Sequence, residues 1–534
     1  MTKPLKILLL LYSTVFLSTA AIAQDDDDIA VVPGAQYVLR NVATGSYLMK
    51  DGTTTKNVAE ASGWRVVTGD TIRYSDTEKL YVIYCDDAVM QLTNNGGGWN
   101  AEFSGKDNTT YVMPSTTTEK TFKFRYRFAF DTRYLNVEAD AEGNEKLTAA
   151  HTASAYNDWK FVPATQPKNY NYRITKMERS SGYSSYNIAY RSTDPKGKEI
   201  WLSGYLAVPT KNEGGECTAD HFLFSTHYTM CKRTQWPTSD TPIDAYSNYL
   251  SSNRPIMVEP DYLGCGITEH LDHLYCAAEP MAEESVDMLF ATHELLGDLH
   301  RMDCYTEPLP TYGIGSSQGA SIILACQKYV ETSPKLNEKQ RNTINWVRTN
   351  ACAGLYDPLA TLSHYYYVDK IDVPAVMPLL LLGQVAGFPE IFGETKAEEY
   401  FSEAFLQAGV LDMIRSHDYD SEEISNVIIN KCGNTMHQML SEEAQDPNSD
   451  ISQKLQKSLG MCNLTRDWAP KADIKLHYFI EDEVVPHLNL VSATKGLKDK
   501  CIGKFETAKT TLGGRHIVAC VNFFINILSG GYKE

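Results

Sequence analysis

The sequence predicts an α/β domain built on a mostly parallel sheet, preceded by an all-β domain. Three observations carry this. From Tyr170 onward, short apolar runs alternate with longer stretches of helical spacing. Between Gln36 and about Val162 there are only strand-like runs separated by turn residues. Within residues 311–319, Thr-Tyr-Gly-Ile-Gly-Ser-Ser-Gln-Gly reads as a strand, a sharp glycine-flanked turn and the start of a helix. Strands separated by helices assemble into a parallel sheet covered on its faces, with ligand chemistry at the strand C-termini.

Residues 1–23 have the layout of a processing signal. Lys3 and Lys6 form a charged start, residues 7–11 and 15–17 an apolar centre, and Ala21-Ile22-Ala23 a small-residue cleavage site. The apolar run is too short and too interrupted to span a bilayer. No cysteine follows the cleavage site, which speaks against a lipid anchor, and residues 24–28 form a solvated acidic tip. No later stretch reaches spanning length without charge. The expectation is an exported, soluble chain, periplasmic or extracellular.

A length of 534 residues favours two domains, and 43% apolar residues suffice for a large core. The net charge of -18 argues against nucleic acid or an anionic membrane as partner. The twelve cysteines include no CxxC and no paired Cys/His spacing, so no zinc site is expected. A few disulfides are expected, with pairing that spacing does not reveal.

The all-β domain is placed at residues 33–163. Tyr37-Val38-Leu39-Arg40-Asn41, Leu80-Tyr81-Val82-Ile83-Tyr84 and Phe122-Lys123-Phe124-Arg125-Tyr126 are its clearest strands. An internal echo links Tyr37…Gly45-Ser46-Tyr47-Leu48 with Tyr126…Thr132-Arg133-Tyr134-Leu135, and Trp159-Lys160-Phe161 closes the domain. This spacing resembles β-trefoil modules of the ricin-lectin kind, which implies contact with carbohydrate, although no sugar-binding residue carries over. A plain β-sandwich or barrel acting as a spacer is the alternative. Residues 162–167, with two prolines, read as a linker.

The α/β domain is placed at 168–534. A hairpin is expected around residues 190–209, then buried strands at 221–226 and 255–258. A long amphipathic helix follows at 281–301, then the strand and helix of the glycine turn, and further strands at 346–352 and 474–479.

Gly315-Ser316-Ser317-Gln318-Gly319 fits the G-x-S-x-G pattern, in which a serine is presented on a turn too sharp for neighbours with a Cβ. Only Ser317 has glycine two residues away on each side, which excludes Ser316. A serine nucleophile needs a base and an acid that orients it, in the order Ser, Asp/Glu, His. Asp482 lies just past an apolar strand, with Glu481 and Glu483 as rivals. His516 follows Leu512-Gly513-Gly514-Arg515 and precedes an apolar helix, whereas His477 and His487 sit too close to the acid's own strand.

Several of these pieces resemble the secretory-lipase branch of the α/β-hydrolase superfamily. The matching elements are Ser192-Thr193-Asp194…Ser203-Gly204…Val208-Pro209, Pro260-Asp261-Tyr262-Leu263-Gly264-Cys265-Gly266 and the serine turn. Ala353-Gly354-Leu355-Tyr356-Asp357-Pro358, Trp468-Ala469-Pro470, Asp482-Glu483-Val484-Val485-Pro486 and His516 complete the set. The resemblance implies Ser317 as nucleophile, His516 as base and Asp482 as orienting acid. It implies Gln318 N–H as one oxyanion donor and a second from the loop at His227-Tyr228-Thr229. There Tyr228 stands where the superfamily has glycine, leaving Tyr228 or Thr229 as the donor. Asp261 and Asp357 are expected as structural anchors. An insertion at about 356–466 corresponds to a cap, and Gly383, Gly387 and Gly393 in its apolar part would permit a bend; the alternative for that run is a helix buried on the sheet.

The implied activity is hydrolysis of carboxylic esters through an acyl-enzyme, without metal or organic cofactor, on a lipid, sugar ester or small acyl ester. The alternatives are a serine peptidase with the same triad, or an inert hydrolase fold whose β-rich module does the binding.

Overall fold

The computed structural model describes residues 29–31, 36–67, 72–73, 79–85, 88–94, 99–104, 110–128, 131–163, 170–180, 183–209, 218–239, 254–298, 302, 305–509, 515–528 and 530–533. The processing signal, the acidic tip, residues 164–167 of the linker and Leu512-Gly513-Gly514 fall outside them. The chain divides into two compact units, the first ending at Glu178 and the second beginning at Arg179.

In the first unit, twelve strands fall into three consecutive sets of four. These are Tyr37–Asn41, Tyr47–Leu48, Thr54–Thr55 and Arg65–Val67; Lys79–Cys85, Ala88–Asn94, Trp99–Ser104 and Thr110–Pro114; Phe122–Phe128, Asp131–Ala139, Glu145–Ala150 and Trp159–Pro163. In every set the first strand pairs with the second and the second with the third, all antiparallel. The last strand of each set pairs with the first strand of the next, and Trp159–Pro163 returns to Tyr37–Asn41. First and last strands also meet at Leu80↔Tyr111 and Phe122↔Trp159, and in the first set an isolated bridge, Tyr37↔Trp64, joins them just ahead of Arg65–Val67. Six strands thus close a ring, which leaves its members no free edge.

The core of this unit repeats a motif. The Trp64 indole donates to the Leu48 carbonyl at 3.2 Å and the Trp159 indole to that of Leu135 at 3.1 Å, all four residues being fully buried. The echo between Tyr47-Leu48 and Tyr134-Leu135 therefore marks equivalent positions, facing Arg40 and Arg125. Its first partner needs correction: Phe122, not Tyr126, stands opposite its tryptophan as Tyr37 does. The loops between the paired strands differ in length, so matching by distance along the chain slips. The last strand also runs through Val162 to Pro163, so those two residues belong to the ring and not to a linker.

The second unit carries the site. Its strands are β1 (Tyr183–Thr193), β2 (Glu199–Pro209), β3 (His221–Thr226), β4 (Pro255–Pro260), β5 (Pro310–Ser316), β6 (Asn345–Cys352), β7 (Asp473–Tyr478) and β8 (Phe505–Lys509), in the spatial order β1-β2-β4-β3-β5-β6-β7-β8. The β1/β2 and β2/β4 ladders are antiparallel, and the five ladders from β4 to β8 are parallel. The helices α1 (Ala278–Asp298) and α2 (Gln318–Thr332) join successive strands, and α2 is buried along most of its length. β3 and β4 are buried at every position, as strands covered on both faces must be.

Between β6 and β7 the chain is helical, with α3 (Pro358–Tyr367), α4 (Val376–Gly387), α5 (Val410–Ser416), α6 (Ser421–Lys431) and α7 (Asp450–Met461). Asp357 caps α3, accepting from the Ala360 N–H. The apolar run is one continuous helix over Val376–Gly387, and its two glycines meet close neighbours. A Cβ on Gly383 would lie 2.4 Å from the backbone N and O of Tyr275, and one on Gly387 would lie 2.5 Å from the Ala277 Cβ. They let α4 pack directly on the loop before α1. The helix α8 (His516–Leu528) follows β8, and after it Tyr532 is fully buried in the core.

The expectation of disulfides is not met at nine of the described cysteines, those at 231, 265, 276, 326, 352, 432, 462, 501 and 520. These are free thiols, seven of them buried, where they act as small hydrophobic side chains. Among the described residues no helix is long and apolar enough to cross a membrane, and no group of His, Cys, Asp and Glu could hold a metal ion.

Candidate active site

At the C-terminal end of β5 the chain reverses into α2 at Ser317, whose φ of 55° and ψ of -122° lie outside the regions ordinary residues adopt. Such strain persists only where the surroundings enforce it. Here the Ser317 N–H donates to the Cys352 carbonyl at 2.8 Å, and the Thr226 hydroxyl at the end of β3 donates to the Gly319 carbonyl at 2.7 Å. The glycines are required by distance. A Cβ on Gly315 would sit 2.3 Å from the Gly319 carbonyl oxygen, and one on Gly319 would sit 2.0 Å from that of Thr226.

The structure brings Ser317, His516 and Asp482 together from three parts of the chain. His516 Nε2 lies 2.9 Å from Ser317 Oγ, and His516 Nδ1 lies 2.9 and 3.0 Å from the two carboxylate oxygens of Asp482. Asp482 is fixed in turn by the N–H groups of Val484 and Val485, at 2.9 and 2.7 Å. Burial disfavours a charged His516 ring, but the Asp482 carboxylate and the Cys520 thiol beside it together outweigh this and raise its pKa, so the imidazole is a stronger base than histidine in water.

The rival acids lie elsewhere. Glu481 is exposed. Glu483 accepts from the backbone N–H of His516 at 2.8 Å and pairs with Arg515 at 3.3 Å, so it anchors the start of α8 without reaching the ring. His477 is held away on β7, its ring edge-on to Phe523.

The N–H of Gln318 opens α2, where no intrahelical acceptor exists and the helix dipole favours negative charge. Thr226 pairs with Gly315, so the loop that follows it, His227-Tyr228-Thr229, starts beside the serine turn. Among the described residues neither the Tyr228 nor the Thr229 N–H has a hydrogen-bond partner. The loop is braced from behind. The His227 ring packs on Tyr262 at 4.0 Å, the Tyr262 hydroxyl donates to the His227 carbonyl at 3.3 Å, and Thr229 bonds Tyr275 at 2.7 Å. Asp261, fully buried, accepts from Ser203 at 2.5 Å and from the Thr238 N–H at 3.0 Å, far from any triad role.

Two features escaped the sequence reading. The Gln318 side chain donates its amide to His273 Nε2 at 2.6 Å, while His273 Nδ1 donates to the Leu263 carbonyl at 2.8 Å. Burial pushes the His273 pKa down to about 4, so the ring is neutral and can make both bonds. The Cys520 thiol lies 3.8 Å from His516 Nε2. Its four-residue spacing from His516 places both on one face of α8, a signal available in the sequence.

In this arrangement the imidazole can take the proton of the strained serine hydroxyl, the carboxylate can hold the ring in place, and the open N–H groups can face a developing negative charge. The same fold occurs in a Legionella pneumophila protein provisionally described as a hydrolase, with 19% identity over 66% of this chain and 88% of that one and a TM-score of 0.53. It also occurs in the ligand-bound rice cell wall degrading esterase LipA of Xanthomonas oryzae, with 16% identity over 66% of this chain and 91% of that one and a TM-score of 0.51. No protein-family profile and no curated protein matches the sequence. The likeness lies in the fold.

Proposed function

We propose that the protein is an exported serine hydrolase of carboxylic esters. The observation that carries this is the unbroken line from Ser317 Oγ through the His516 ring to Asp482, with each contact between 2.9 and 3.0 Å. Ser317 Oγ attacks the ester carbonyl carbon as its proton passes to His516 Nε2. The carbonyl oxygen gains the negative charge and is held by the N–H of Gln318 and that of Tyr228 or Thr229. Removing one such donor typically costs about 3–4 kcal/mol of transition-state stabilisation. The tetrahedral adduct collapses, His516 hands its proton to the departing alkoxide, and an acyl-Ser317 ester remains. Water then repeats the sequence, losing a proton to the same nitrogen and releasing the acid. Asp482 keeps the Nδ1 proton in place throughout.

The first unit, under this reading, is a β-trefoil module tethered to the hydrolase, and its role is to hold carbohydrate near the site. The ring of six strands closed by three hairpin sets supports the trefoil assignment. The Xanthomonas neighbour's description as a cell-wall-degrading esterase makes esterified polysaccharide a reasonable substrate to try. Residues 1–23 would be removed on export.

The test is hydrolysis of nitrophenyl esters and of an aminoacyl amide by the purified protein and by Ser317→Ala. We expect ester turnover that falls by orders of magnitude in the variant, with the fold unchanged by circular dichroism. Faster amide than ester cleavage would make the protein a peptidase, and undiminished turnover in Ser317→Ala would remove the triad altogether.

A further inference from the structure

Beside the serine turn, under the helical insertion, lies a cavity of about 30 Å³. Thr229, Tyr275 and Gln318 line it, together with Leu379 and Leu382 of α4 and Ile414 of α5. The three aliphatic side chains are buried. Asp272 and Arg415 line it as well. Their contact is bidentate, Arg415 Nε and Nη2 donating to the two Asp272 oxygens at 2.9 and 3.2 Å, while Nη1 donates to Glu398 at 2.8 Å. Parts of the lining are held in place by their neighbours. The Gln318 amide is pinned by His273, Thr229 is bonded to Tyr275, and the close approach of Gly383 to Tyr275 locks α4 onto the same loop.

Resting on the esterase reading, the position of this cavity decides which half of the ester enters it. The carbonyl oxygen faces the N–H of Gln318 and of Tyr228 or Thr229. The alcohol half must leave on the side of His516, since Nε2 returns the proton to it. None of the triad residues lines the cavity, whereas Gln318 and Thr229 do. We infer that the cavity receives the acyl chain and limits it to about two to four carbons, because its volume holds about two or three water-sized groups. A longer chain would have to displace α4 or α5, or strip the Asp272–Arg415–Glu398 contacts. The protein is therefore selective for short acyl groups, such as acetyl to butyryl, on whatever alcohol carries them.

The experiment compares kcat/KM of the full chain on nitrophenyl acetate, butyrate, octanoate and laurate, in the native protein and in Leu382→Ala and Ile414→Ala. In the native protein we expect octanoate to be turned over at least tenfold less efficiently than butyrate, since the loss of one favourable methylene contact already alters selectivity about tenfold or more. Either variant should raise the octanoate-to-butyrate ratio at least tenfold. Two variants guard against one failing to fold, which circular dichroism would reveal. Native preference for octanoate or laurate overturns the inference and leaves the esterase reading standing. So does an unchanged ratio in a folded variant. No hydrolysis at any chain length defeats the esterase reading and the inference with it.

Discussion

The backbone N–H of His516 donates to the Glu483 carboxylate, 2.8 Å away, while the ring of the same residue faces Asp482. Two neighbouring acids thus hold one histidine by different handles. Asp482 bonds the imidazole and, with the Cys520 thiol, raises its basicity, and Glu483 ties down the helix start that carries it.

That division predicts unequal effects of two similar substitutions. Asp482→Asn should lower kcat by about 10⁴, because an amide can hold the wrong tautomer of the ring. Glu483→Gln should cost about 1 kcal/mol of stability, as loss of charge at a helix N-terminus does, and less than tenfold in kcat. Steady-state rates and thermal melts of both variants check this. A greater rate loss in Glu483→Gln than in Asp482→Asn would mean the acid has been misassigned.

Gly319 separates backbone constraint from simple glycine flexibility. Its added Cβ would meet the Thr226 and His227 carbonyl oxygens at 2.0 and 2.7 Å, backbone atoms that cannot rotate away. Gly319→Ala should destabilise the protein by about 3 kcal/mol and displace Ser317. Gly297, on α1, has open space around it, and Gly297→Ala should be neutral or stabilising by up to about 1 kcal/mol. Urea denaturation of the pair measures the contrast. Equal stability would remove the close approach at Gly319.

Glu259, buried at the end of β4, gives a pH signature. Burial is the main cause that raises its pKa from 4.5 to about 7; the Ser225 hydroxyl opposes this and the nearby Asp261 adds to it. Between these values the folded protein keeps a proton that the unfolded chain has lost. Stability present below pH 4.5 is therefore lost as pH rises through 7, up to about 3 kcal/mol in all. Glu259→Gln keeps the shape and cannot ionise. Relative to the native protein it should gain stability between pH 4.5 and 8.5, read from urea midpoints at both ends. A gap that stays constant with pH would show that Glu259 is ionised throughout.

The unit boundary at Arg179 bears on the tethered-module proposal. A chain beginning at Lys168 contains every proposed catalytic residue and should keep its rate on a short soluble ester. On an esterified polysaccharide its rate should fall, because the module no longer raises the local concentration of enzyme. Equal rates on both substrates would make the first unit a spacer. An insoluble product would show that the first unit is needed for the second to fold.

Much of the site was legible because it is written in local rules. The glycines at 315 and 319 are demanded by a turn of a few residues, and buried strands such as 221–226 show as apolar runs of the right length. The chain order of serine, acid and histidine follows from how a parallel sheet stacks its loops at one end.

What depended on distance along the chain was not legible. Sequence left Asp482 and its two neighbours as candidates, because a strand end does not reveal which way three consecutive carboxylates point. In the fold the N–H groups of Val484 and Val485 hold Asp482 facing the His516 ring, and the start of α8 claims Glu483. Gly383 would permit a bend as far as sequence shows, but its neighbour is the backbone of Tyr275, more than a hundred residues earlier. The pinning of Gln318 by His273 and the pairing of Asp272 with Arg415 are contacts of the same kind. They exist only once the sheet and its helical insertion have met, since no local rule specifies which distant side chain arrives at a given wall.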